Sequence, residues 1–211
     1  LSRVIVGTRG AIVGPLLVAL TAIVTGTILG LVAGYHRGPA DSVIGRFVDI
    51  VYALPSLLIA IVVIGISGGG YAMTVLVLAL LSLPTAVRMV RSATMRESGK
   101  PYIEAARSLR LPAAAIVGRH ILPNIMATVI VTFLLDFVIA MIAFSALAFL
   151  GIGAQPGSAD WGVMIAEGRT NLYVNPLFSL APAIMLILVA ASATVLGDAL
   201  FARLTALRER S

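Results

Sequence analysis

Residues 99–124 read GKPYIEAARSLRLPAAAIVGRHILPN, a polar and strongly basic stretch set inside a chain that is otherwise almost continuous hydrocarbon. From Tyr102 to Arg110 the residues are good helix formers. Glu104 stands near the start, where a carboxylate complements the helix dipole, and Arg107 and Arg110 stand toward the end. The segment is too short and too polar to cross a bilayer. Leu111 precedes a proline, which disfavours α geometry, and Pro112 suits the first turn of a following helix, so the stretch is predicted to fold as helix, sharp turn, helix. Ala105 and Ala106 leave a low-profile surface on the first of these helices, rimmed by Glu104, Arg107 and Arg110. Three readings fit: a docking element for a cytoplasmic protein, a solvated basic loop, or an amphipathic helix lying on anionic lipid.

Working outward, 60% of the residues are hydrophobic and 11% charged, with a mean hydropathy of +1.07. That balance is far from a soluble domain's and marks an integral membrane protein. Each apolar run approaches or exceeds the roughly 20 residues needed to cross a hydrocarbon core, and lipid-exposed runs satisfy their backbone only as helix. The expected fold is an all-α polytopic bundle with spans at roughly 11–34, 43–66, 71–95, 121–150 and 176–201, edges good to about three residues. Of the fifteen Lys and Arg, Arg88, Arg91, Arg96, Lys100, Arg107, Arg110 and Arg119 fall around the loop, Arg37 and Arg46 around the first turn, and Arg203, Arg208 and Arg210 in the tail. These regions share one face of a five-span topology, and the positive-inside rule makes that face cytoplasmic. The opposite face carries the hairpin SGGGY at 67–71 and the segment 151–175, whose one basic residue is Arg169. The chain then starts outside, which leads us to expect one further span upstream. Cysteine is absent, so thiolate metal sites and disulfides are excluded.

In their order, the residues EAARSLRLPAAAIVGRHILPN resemble the EAA loop of the permease subunits of ABC importers. Glu104, Ala105 and Ala106 match its start, and Leu122 and Pro123 its end. The form RHILPN, at 119–124, is similar to the peptide and nickel branch of that family. The family's glycine falls at Arg110, which leaves Pro112 to supply the break. The resemblance extends to AGYHRGPADSVIGRFVDIVYALPSLLIAI at 33–61, including Asp49 and Leu54-Pro55-Ser56, to FLGIGAQPGSADWGVMIAEGR at 149–169, and to LGDAL at 196–200. It covers nearly the whole chain as a single transmembrane permease domain, residues 1–211, with a cytoplasmic coupling loop at about 96–123 and the family's first span missing upstream. It implies the type I importer permease fold, five spans of six, in the cell membrane. It also implies a homologous second permease, two cytoplasmic ATPases that bind ATP and Mg, and an extracytoplasmic solute-binding protein. The implied activity is alternating-access uptake of short peptides, with nickel complexes or another small solute as the alternative.

No phosphate loop of the form G-x-x-x-x-G-K-[ST] is present, since Gly99-Lys100 is followed by proline, and ATP hydrolysis must come from elsewhere. His36 and His120 lie far apart at span edges and suit structural roles. No cofactor, metal site, catalytic constellation or nucleic-acid-binding feature is expected in the chain; membrane lipid is its surroundings. Asp136 lies near the middle of a predicted span, where a charge is costly unless it meets water or a partner. It either lines the pathway, meeting the amino terminus of a peptide or carrying a proton in a secondary transporter, or makes a neutral or hydrogen-bonded contact with a second permease. Phe144 stands where the family often has a glutamate. Trp161 is read as an interfacial anchor or a lining of the outer mouth, with a short re-entrant or interfacial helix around Val163 to Arg169. Gly26, Gly30 and Gly34, four residues apart, form a small-residue face for close helix packing.

Overall fold

The computed structural model describes residues 2–153 and 157–209, and for residues 205 and 207–209 the backbone alone. Residues 154–156 of the GAQPGSADWG turn and Arg210 of the basic tail lie outside the described residues. The described residues form eight α-helices: α1 Ser2–His36, α2 Pro39–Tyr52, α3 Ser56–Ile66, α4 Tyr71–Ser98, α5 Pro101–Ser108, α6 Ala113–Phe149, α7 Trp161–Gly168 and α8 Leu177–Glu209.

The architecture rests on α1, α4 and α6, with α8 against α6 and α7. Long apolar side chains cover the outside, among them Ile28, Leu76, Ile139 and Ile187 at 50% exposure or more, as hydrocarbon surroundings permit. Lipid supplies no hydrophobic drive between helices, so close approach must come from small residues. The glycine face of α1 provides it. A Cβ on Gly30 would lie 2.7 Å from the Val90 Cβ, and one on Gly34 2.7 Å from the Thr94 Cβ, distances that real side chains do not adopt. The expected small-residue face is therefore the α1–α4 seam.

The helix bounds refine three of the expected spans. The run at 43–66 is not one straight helix: it bends between α2 and α3, which meet at 81° and together are apolar enough for one broken span. Pro55 causes the break, because it lacks an N–H and pushes Leu54 out of α geometry. Apolar length alone does not reveal such an elbow. The helix that holds the first expected span, 11–34, extends back to Ser2. The fourth expected span is carried by Leu122–Phe149, and its helix continues back to Ala113, so α6 is 37 residues and about 55 Å long, well beyond a hydrocarbon core. Its extra turns form the second arm of the basic loop.

The elbow is fastened to α4 by charge. Arg91 grips Asp41 through both carboxylate oxygens, with Nη2 to Oδ2 at 2.6 Å, and Arg88 Nη2 donates to Asp49 Oδ1 at 2.8 Å. Arg88 also lies 4.2 Å from the centre of the Tyr52 ring, whose hydroxyl is 2.8 Å from Thr85 Oγ1. Val48 is the one buried residue of α2, so these polar contacts do most of the holding.

At the opposite end, Gly14 sits under Phe144, and Phe144 stacks at a tilt on Tyr71 with ring centres 5.8 Å apart. A phenyl ring thus fills the position where the family often has a carboxylate. The expected short helix after the fourth long helix is α7, capped by Asp160 Oδ1, which accepts from the Gly162 and Val163 N–H groups. Trp161 departs from both readings made of it. It is fully buried, and its Nε1–H donates to the Val4 carbonyl at 2.9 Å. It ties α7 to α1. Arg3 reinforces the tie through Glu167 at 3.1 Å and the carbonyls of Gly157 and Ser158.

Candidate coupling site

The basic loop folds as the helix, turn and helix read from its prolines. Pro101 occupies the first turn of α5, where a missing N–H costs nothing, and Pro112 precedes α6, its carbonyl accepting from Ala115 and Ile116 N–H at 2.9 and 3.1 Å.

The two alanines part company. Ala106 is turned inward at 6% exposure beside the fully buried Ile103, in a cluster with Leu31, Val90, Ala93, Ile116, Ile121 and Ile125. Ala105 is exposed, together with Glu104, Arg107, Arg110 and Leu109, the last at 76%. The low-profile outer surface is thus Ala105 alone; Ala106 serves close seating of α5 on the spans. Since the cluster draws on α1, α4, α5 and α6, α5 is a short stiff bar seated on three long helices.

Its end is a closed turn. Arg110 N–H donates to the Arg107 carbonyl at 2.9 Å and Leu111 N–H to the Ala106 carbonyl at 3.3 Å, the paired bonds of a Schellman cap. The residue after the helix in that motif sits in the left-handed region, and Arg110 has φ 56°. The family's glycine position therefore keeps the glycine conformation with an arginine in place. An L residue in that conformation costs on the order of 1 kcal/mol, and the seating of Ile103 and Ala106 on one side and Pro112 on the other enforces it.

The seat has a polar clasp that sequence reading missed. Glu97, buried at the end of α4, takes an ion pair from Lys100 Nζ at 2.9 Å and a short hydrogen bond from the Tyr102 hydroxyl. Asn124 Nδ2 donates to that hydroxyl at 3.1 Å and to the His120 carbonyl at 2.6 Å. One phenol thereby links the end of α4, the start of α5 and the base of α6. The signal for it was the acid at 97 with Tyr102 and Asn124 flanking the loop.

Between the arm and the membrane portion, α6 widens into a π turn over Val117–Ile121, with Leu122 N–H reaching back to the Val117 carbonyl. Pro123 follows directly. A proline inside a helix has no N–H to give and crowds the carbonyl four residues back, here that of Arg119, and an extra residue in the turn relieves both problems. Leu122 is half-buried and Pro123 exposed.

Beside α5 lies a groove of about 440 Å³ lined by Tyr35, His36, Arg37, Ser98, Glu104 and Arg107 among others. The Arg107 guanidinium stands 4.8 Å from the Tyr35 ring centre, closing one wall. The arrangement offers a partner an exposed small residue, a flanking carboxylate, two arginines, and a rigid connection into the bundle.

Asp136 lies elsewhere, near the middle of α6 at 1% exposure, and takes no part in the loop.

Compared with known proteins, residues 26–206 match the model of the family described as binding-protein-dependent transport system inner membrane component. The chain is 37% identical over 199 residues to the glutathione transport system permease protein GsiD of Pectobacterium atrosepticum and 35% identical over the same length to that of Escherichia coli O6:K15:H31. In each case the match covers 94% of this chain and 66% of the relative's length. Among solved structures, the chain resembles the MetNI methionine ABC transporter in an inward-facing conformation, with TM-score 0.79, 16% identity, and 97% of each chain covered. It also resembles an amino acid ABC transporter crystallised with histidines, with TM-score 0.66, 17% identity, and 100% of this chain and 94% of the other covered. At these identities the structural likeness speaks for the fold.

Proposed function

We infer function from the premise that the chain belongs to the binding-protein-dependent transport system inner membrane component family. It acts as a membrane-spanning permease subunit of an ATP-driven importer and hydrolyses nothing itself. Two cytoplasmic ATPases, which hold ATP and Mg, drive it through α5. A homologous second permease completes the pathway, and an extracytoplasmic binding protein delivers the solute. The solute is a short peptide or peptide-like molecule, in keeping with the glutathione transport named for its relatives.

One observation carries this reading: α5 is exposed along Glu104, Ala105 and Arg107 and simultaneously seated through Ile103 and Ala106 on α1, α4 and α6. A force applied at Ala105 has no slack to take up before it reaches the spans. Closure of the ATPases then tilts α5, and α4 and α6 carry the movement to the central cavity, which alternates between the two sides.

The test alters the outer face alone. Glu104→Lys reverses a rim charge and Ala105→Trp overfills a close contact, while neither side chain touches the buried cluster. In the reconstituted importer both variants insert normally, yet ATPase copurification or solute-stimulated ATP hydrolysis falls. A helix that merely lies on anionic lipid responds otherwise, since an added Lys strengthens that attraction and leaves coupling untouched. Normal copurification and normal stimulation in both variants would sink the assignment.

A further inference from the structure

Asp136 lies 14 residues beyond Leu122 and 13 before Phe149, at the middle of the membrane portion of α6. It borders a cavity of about 190 Å³ between the α2–α3 elbow, α4 and α6. Its Oδ2 is buried and has no hydrogen-bond partner among the described residues. Four hydroxyl side chains line the same cavity: Tyr52, Ser56, Ser82 and Thr85. The rest of the wall is apolar, including Leu57, Leu78 and Ile139.

Every lining residue is either uncharged or Asp136 itself. The nearest cation along α4 is Arg88, one turn past Thr85, and it is engaged by Asp49 and the Tyr52 ring. A carboxylate at this depth without a partner is costly, and such groups persist where a pathway brings them water or a cation. The cavity is too small for a whole peptide but holds an ammonium head with a few attached carbons. Hydroxyl oxygens complete the shell of an –NH₃⁺, which has three donors to satisfy.

We propose that the cavity is a subsite for the protonated amino group of the transported solute, with Asp136 as its counter-ion and the ring of hydroxyls as neutral acceptors. This rests on the peptide-permease reading above and names the end of the solute that this chain recognises. The carboxylate is then unpaired only between transport events, and the elbow, fastened to α4 by two ion pairs, forms one wall of the subsite.

The experiment measures ATP-driven uptake by the full importer of two peptides matched in affinity for its binding protein, one with a free amino terminus and one N-acetylated. Wild type favours the free-amine peptide by about tenfold or more, the size of a charge-assisted hydrogen bond. Asp136→Asn removes the preference by slowing the free-amine peptide alone, and Asp136→Glu retains it. Asp136→Asn keeps the size and shape of the side chain, and expression of the variant and copurification of the second permease are followed in each case. Equal uptake of the two peptides by wild type overturns the subsite while leaving the permease reading intact. So does an unchanged preference in Asp136→Asn. An Asn variant that loses the second permease, with surviving complexes keeping full preference, assigns Asp136 to a subunit contact and also overturns it. Failure of wild type to import either peptide refutes the peptide reading, and the subsite falls with it.

Discussion

Ala105 and Ala106 are adjacent in sequence and opposite in role, and a matched pair of substitutions separates them. Ala106 is 6% exposed within the cluster formed by Ile103, Val90, Ile116 and Ile121, so Ala106→Leu forces three more carbons into a filled site. Overpacking of that kind costs about 1–3 kcal/mol. The bar is short, and the strain is relieved most directly by lifting α5 off its seat. The population of the lifted form then rises by about 5- to 150-fold, from the Boltzmann factor of that energy. Arg107 and Arg110 are exposed trypsin sites within or beside α5, and cleavage there tracks the open population when reclosing outpaces cutting. Limited trypsinolysis of the purified protein, followed by mass of the fragments, should show Ala106→Leu cut at these two sites faster by that factor. Ala105→Leu, on the outer face, should stay within about twofold of wild type, as surface changes of up to 0.5 kcal/mol do. Equal cleavage of wild type and Ala106→Leu, or acceleration by Ala105→Leu of the same size, would refute the inward and outward assignment.

Arg110→Gly restores the residue that the left-handed backbone favours. The relief of about 1 kcal/mol is partly offset by the greater freedom of glycine in the unfolded chain, so thermal stability should rise slightly or stay level, and a clear fall on melting would show that φ 56° is not enforced there. For topology, a cysteine at Gly69, in the hairpin away from the basic loop, should react with an impermeant maleimide from outside intact cells, and one at Ser108 only after permeabilisation. Ser108 is exposed on α5 and so reports the side of the membrane on which the basic loop lies; the reverse labelling would invert the orientation.

The position of Pro112 made the loop legible, since a proline governs its neighbours locally and ends the helix before it. The glycine face of α1 was legible because a repeat of four marks a single side of a helix. Arg110 was not: arginine has no preference for positive φ, and its conformation follows from how α5 is seated, which no local pattern encodes. The elbow at Pro55 was hidden by the apolarity around it, although the restriction on Leu54 was available. Trp161 was misread because the carbonyl it serves belongs to Val4, at the far end of the sequence. The Glu97 clasp required knowing that Tyr102 and Asn124 converge, which only the folded loop brings about.

The central claim is that the outer face of α5 touches an ATPase. A short-range photo-crosslinker placed at Ala105 in the full importer tests it by direct contact, with the same probe at exposed Leu58 on α3 as the control. The account predicts an ATPase adduct from position 105 and none from position 58. Adducts from position 105 to lipid alone would contradict it.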